Sequence, residues 1–116
     1  MRIRDLFSRF FPKKREESLP PVDKSMLLRE RIYFSGEVQG VGFRYRCLIH
    51  AQKLGVTGFA QNLLDGRVRA EFQSDRQHID ALIEALGQEP WIRITHMEVT
   101  ERPVEPGEQG FTVDYF

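Results

Sequence analysis

With a single cysteine, Cys47, the chain can close no internal disulfide, and its fold must rest on packing and hydrogen bonds alone. That usage points to a reducing compartment, the cytoplasm. The three histidines, His50, His78 and His96, are widely spaced and form no metal-ligand pattern, so neither a metal nor another cofactor is expected. No apolar run approaches the roughly 18 residues a membrane-spanning helix needs. Charge of one overall sign is missing too, since 17 basic side chains face 17 acidic ones.

That balance hides an asymmetry. Residues 1–15 hold Arg2, Arg4, Arg9, Lys13, Lys14 and Arg15 against Asp5, which leaves the remainder of the chain acidic. An acidic body is poorly suited to a polyanion, whose binding depends on broad phosphate neutralisation, so no nucleic-acid partner is expected. At 116 residues the chain has room for one core. Ile3, Leu6, Phe7, Phe10 and Phe11 recur at helical spacing, and "PKKREESLPPVDKS" follows as a charged, proline-broken linker. Residues 1–25 are therefore read as a flexible basic extension and 26–116 as the domain. Contact of residues 1–11 with a membrane or a partner is the lesser reading.

From Leu27 onward the sequence predicts an order of elements. "RERIYFSG" gives a strand over Arg29–Ser35. Cys47, Leu48, Ala51 and Leu54 give a helix from Phe43 or Arg44 to Leu54, closed by Gly55. "VTGFAQN" and "RVRAEFQ" flank an Asp65-Gly66 turn. Ser74 and Gln77 suggest a capping box ahead of Ile79, Leu82, Ile83 and Leu86, a stripe that ends before Gly87. Ile92–Glu101 reads as a strand whose apolar phase slips between Ile94 and Met97, the mark of a bulge. Phe111, Val113 and Tyr115 alternate in a last strand. The sum is an α+β fold of the ferredoxin-like α/β sandwich type (βαββαβ), with two helices on one face of an antiparallel sheet.

The stretch "SGEVQGVGFRY" places three glycines and an arginine where the first strand gives way to the first helix. A glycine-rich turn ending at a helix N-terminus directs unpaired N–H groups and the positive end of the helix dipole at whatever occupies it. Arg44 adds a fork that can meet two oxygens of a phosphate. Such a turn is often only a turn, and an arginine in a first helical turn is often a solvated one. Asn62, at the end of the second strand, most often would cap a turn. Its amide both donates and accepts, which also suits holding a water molecule.

"GEVQGVGFR" at 36–44 with "LGVTGFAQN" at 54–62 resembles the signature of the acylphosphatases, and the likeness runs over the whole body, to the closing "FTVDY". The resemblance implies hydrolysis of acyl phosphates, as small-molecule substrates, to a carboxylate and inorganic phosphate without a metal. It assigns phosphoryl binding to Arg44 and to a loop of Val38, Gln39, Gly40, Val41, Gly42 and Phe43. Asn62 would orient the attacking water. Inorganic phosphate would be both product and competitive ligand, and the protein is expected to be monomeric. The rival reading is a non-catalytic anion- or phosphate-binding module on the same fold; an RNA-binding sandwich ranks third, with Tyr33 its one stacking candidate. Three residues depart from or lie outside the signature. Cys47 is read as a small packed helix residue, Phe59 as a change of core size, and His50 as a surface or edge residue rather than a base.

Overall fold

The protein is described here by a computed structural model that covers residues 19–114. The amphipathic pattern of residues 3–11 and the last alternating position, Tyr115, lie outside the described residues.

Strand β1 (Leu28–Glu37) turns Ile32 and Phe34 to one side and Arg29, Arg31 and Tyr33 to the other. Helix α1 (Phe43–Leu54) follows, ended by Gly55 in the left-handed conformation as expected. Strands β2 (Thr57–Asn62) and β3 (Val68–Ser74) form a hairpin, with Val68, Ala70 and Phe72 facing the core. Helix α2 (Arg76–Gln88), β4 (Arg93–Arg102) and β5 (Phe111–Asp114) complete the order. The sheet runs β4-β1-β3-β2-β5. Its pairs are antiparallel except β2–β5, which is parallel, so the last strand makes the sheet a mixed one.

Both helices cover one face, and the core between them and the sheet holds Phe34, Phe72, Ile79, Leu82 and Leu86 with Cys47 and Ala51 of α1. The slip read in the β4 sequence is a register shift. Ser35 pairs with His96 and Gly36 with Ile94, leaving Thr95 over. Gly36 sits at φ +127, and a Cβ there would strike the carbonyl of Arg93, so only glycine fits the bulge.

The start of α2 corrects the expected capping box. Asp75, not Ser74, is the N-cap, its carboxylate accepting from the His78 amide at 2.9 Å. Ser74 is instead the last residue of β3, and its hydroxyl is buried without a hydrogen-bond partner among the described residues. Gly87 lies within α2 and does not end it.

Part of the stretch read as an extension is docked on the body. The other carboxylate oxygen of Asp75 accepts from the Asp23 amide at 2.9 Å, and His78 Nε2 donates to the carbonyl of Pro20 at 2.7 Å. Leu19 packs against the core, and Val22 lies over Gly55. The helix-free face is crossed by residues 103–110. Gln73 holds them by exchanging hydrogen bonds with the backbone of Glu105, while Arg29, 4% exposed, reaches Glu71 at 2.6 Å and Glu108 at 2.8 Å. Phe59 is on this face, half-buried, and so is not the core residue its apolar character suggests.

Candidate active site

The turn between β1 and α1 is fastened at both ends and bare in the middle. Val38 and Phe43 are each 1% exposed, and the Phe43 ring meets Phe34 edge-on with centroids 5.0 Å apart. Between them Gly40 and Gly42 are exposed, with φ of +74 and +79, and a Cβ at either would touch nothing within 4 Å. Val41 is half-buried against the core. The burial of the two ends turns the backbone between them outward.

Gly42 is also the N-cap of α1, and no side chain of the described residues caps this helix. The contrast with α2 is chemical. Asp75 closes the N-terminus of α2 with a carboxylate, whereas the first turn of α1 keeps its positive dipole end open to an anion from outside the chain. Gly42, as a left-handed residue without a side chain, creates that opening.

Sheet register brings the other groups to the same end of the molecule. Asn62 pairs with Val68, which pairs on its far side with Phe34, four residues before the 38–43 turn begins. Asn62 shares the face of Ala60, the face that carries the helices. On the opposite flank of β2, Gln61 pairs with Asp114, and the carbonyl of Asp114 accepts a hydrogen bond from Nη1 of Arg44. Arg44 is thus tied to the end of β5, the strand that pairs with β2, which carries Asn62. The side chain of Gln39 donates to the carbonyls of Leu63 and Arg67 at 2.7 and 2.8 Å, tying the turn to the hairpin directly after Asn62.

The Oδ1 of Asn62 is buried and has no hydrogen-bond partner among the described residues. A buried acceptor left so costs about 1–3 kcal/mol, and this oxygen keeps its accepting capacity. Gln61, by comparison, accepts from Arg69 on the open face.

Two further titratable groups of α1, His50 and Cys47, are engaged in the structure of the fold. His50 is half-buried at the edge between α1 and the segment after α2, with Nε2 2.8 Å from Glu89, which Arg46 also approaches at 3.7 Å. Cys47 is fully buried, and burial pushes its thiol well above the usual range. Among the described residues no three His, Cys, Asp or Glu side chains converge to hold a metal, and no helix is long and apolar enough to cross a membrane. Tyr33, the stacking candidate, has the Arg67 guanidinium 4.7 Å above its ring. A hollow of about 560 Å³ lies on that open face below residues 103–110. Its Arg29 and Arg31 are paired with Glu71 and Glu108 within the wall.

Sequence reading named the turn, Arg44 and Asn62, but not Asp114, Leu63 or Arg67, and missed what the Gln39 side chain does. A backbone carbonyl leaves no trace in residue identity, whereas a long carboxamide in a turn otherwise built of Gly and Val was a visible signal.

An α/β sandwich with an open helix N-terminus, an arginine in its first turn and an amide across from it defines a class of oxyanion-binding folds. Residues 30–113 match the Acylphosphatase family profile. An acylphosphatase of Rubrobacter xylanophilus is 42% identical over 86 residues, covering 73% of this chain and 78% of the relative. One from Thermococcus kodakarensis is 45% identical over 84 residues, covering 72% and 89%. The crystal structure of acylphosphatase from Bacillus subtilis superposes with a TM-score of 0.70 at 34% identity, covering 76% of this chain and 99% of that one. The chain belongs to the acylphosphatase family and is an acylphosphatase enzyme.

Proposed function

We propose that the phosphoryl group of an acyl phosphate sits on the backbone of the 38–43 turn and the first turn of α1, that Arg44 meets its oxygens, and that Asn62 aims the attacking water. The carboxylate leaving group has a conjugate acid with a pKa of about 4, so it departs at neutral pH without a proton from the protein. Phosphoryl transfer is largely dissociative, and what remains for the chain is placement and charge stabilisation. Amide donors and a guanidinium fixed before substrate arrives supply that without reorganising. The bond from water oxygen to phosphorus forms as the bridging bond from phosphorus to the carboxylate oxygen breaks, and the water proton leaves by way of the phosphate.

One observation carries the reading: the uncapped N-terminus of α1 opens at the sheet end where Arg44 is anchored and Asn62 holds a buried, unpartnered oxygen. The substrate is a small acyl phosphate, and inorganic phosphate competes with it. Hydrolysis of benzoyl phosphate in the presence of a chelator, with phosphate as competing ligand, tests the proposal. Turnover that vanishes with EDTA, or phosphate that fails to compete, contradicts it.

A further inference from the structure

The geometry points to Gln39 as a positioning residue, which sets the register between the phosphate turn and the water-holding Asn62 through its side chain. The carboxamide nitrogen has two hydrogens, and each goes to a carbonyl of the hairpin, that of Leu63 at 2.7 Å and that of Arg67 at 2.8 Å. Because a carbonyl only accepts, the two partners fix which end of the amide faces the hairpin.

The hairpin is built to receive it. Leu63 and Arg67 would close β2–β3 with a reciprocal pair of backbone hydrogen bonds. Only one of the two forms, from the Leu63 amide to the Arg67 carbonyl at 2.8 Å. The Arg67 amide turns instead to the carboxylate of Asp65 at 3.1 Å, and the Leu63 carbonyl takes the Gly66 amide at 3.3 Å. Both carbonyls thereby retain lone pairs for Gln39, and Asp65 keeps the pair open.

The consequence is mechanical. Asn62 directly precedes Leu63 in the chain, and Gln39 directly precedes Gly40, so one side chain joins the backbone that positions the water to the backbone that positions phosphorus. In-line attack needs the reacting atoms aligned within a few tenths of an ångström, and misplacement by about 1 Å costs on the order of 10²-fold. Gln39 acts on that alignment without touching substrate through its side chain. This inference rests on the roles proposed above for the turn and for Asn62.

The test is a double-mutant cycle on benzoyl phosphate with the parent, Gln39→Met, Asn62→Ala and the double variant. Methionine keeps the length and removes both donors. Gln39→Met is expected to lower kcat by about 30- to 100-fold while the inhibition constant of inorganic phosphate changes by less than about threefold, since the turn amides and Arg44 remain. In the Asn62→Ala background the same change should cost less than about threefold, because there is no held water left to misalign. A kcat for Gln39→Met within threefold of the parent overturns the inference, as does an effect that multiplies fully with Asn62→Ala while Asn62→Ala itself is slow. If Asn62→Ala alone runs at the parent rate, the water-holding role falls, and this inference with it.

Gln39→Glu supplies a second reading should Gln39→Met fold poorly. Its carboxylate meets two carbonyls with no hydrogen to offer, and protonation restores one donor. Its deficit in kcat relative to the parent should shrink as pH falls toward about 4; a deficit constant with pH contradicts the clamp.

Discussion

Arg44, in the first turn of α1, hydrogen-bonds the backbone carbonyl of Asp114 at the end of β5. A carbonyl partner orients a guanidinium through a hydrogen bond and, unlike a carboxylate, does not itself neutralise it. Replacing Arg44 by alanine should lower kcat on benzoyl phosphate by roughly 10²–10³-fold and weaken phosphate inhibition in parallel. Lysine at this position should recover only part of either, having charge without the fork. Steady-state kinetics with phosphate as inhibitor read both effects.

For Asn62→Ala the two readouts should separate. The variant loses the group that aims the water and keeps every contact assigned to the phosphoryl group. A kcat about 10²-fold lower with a phosphate inhibition constant within about threefold of the parent is expected. Because the parent's Oδ1 is buried without a partner, removal of the side chain should cost little stability, and the melting temperature checks that the kinetic loss is not unfolding.

Asp75 joins the N-terminus of α2 to the docked segment around Pro20–Asp23. Burial opposes ionisation of its carboxyl, but the amides of Asp23 and His78 and the imidazole of His78 outweigh it and hold it below the ordinary carboxylate range. Burial likewise opposes ionisation of Glu71, and Arg29 and Arg31 hold it low. For a carboxyl depressed in the folded state, the stabilisation is complete above its unfolded value, near pH 4, and disappears as pH falls through the folded value. Stability should therefore be flat through neutrality and drop below about pH 4. Asp75→Ala should cost about 2 kcal/mol at pH 7 and flatten the acid limb of that curve. Far-ultraviolet circular dichroism in urea is the suitable probe, since Trp91 is already 72% exposed in the folded protein and would report unfolding weakly.

Cys47 should be silent in the native enzyme. Its side chain is 0% exposed and its thiol is kept protonated by burial, so an aromatic disulfide reagent should find no reactive thiol until denaturant is added, then one per chain. Activity should survive the reagent unchanged under native conditions. Rapid modification with loss of turnover would place a thiolate at the site and contradict the geometry.

The order of elements was legible because each carries its own local marker. Gly55 in a left-handed conformation ends α1, and the phase slip near Met97 registers the extra residue, Thr95, in β4. The turn and its arginine were legible for a similar reason, as glycine in a row before a helix has few other uses. What stayed hidden depends on partners distant in sequence or on backbone. Ser74 and Asp75 are both competent caps, and which one serves is decided by where β3 stops. Phe59 was read as core because its apolar character does not reveal which face of β2 it occupies; the crossing of residues 103–110 covers the face opposite the helices. Leu19–Ser25 was read as linker from its prolines and charges, and its docking depends on His78 and Asp75, more than 50 residues on.

The anchor of Arg44 spans 70 positions and lands on a four-residue strand paired along one side only, with β2. Short edge segments open at far lower free energy than a core does. Peeling of β5 would break the hydrogen bond between the guanidinium and Asp114 while the three central strands and both helices stay intact. On warming, turnover should fade ahead of the main melting transition and return on cooling, so the outermost strand, rather than the core, sets the temperature at which the enzyme works.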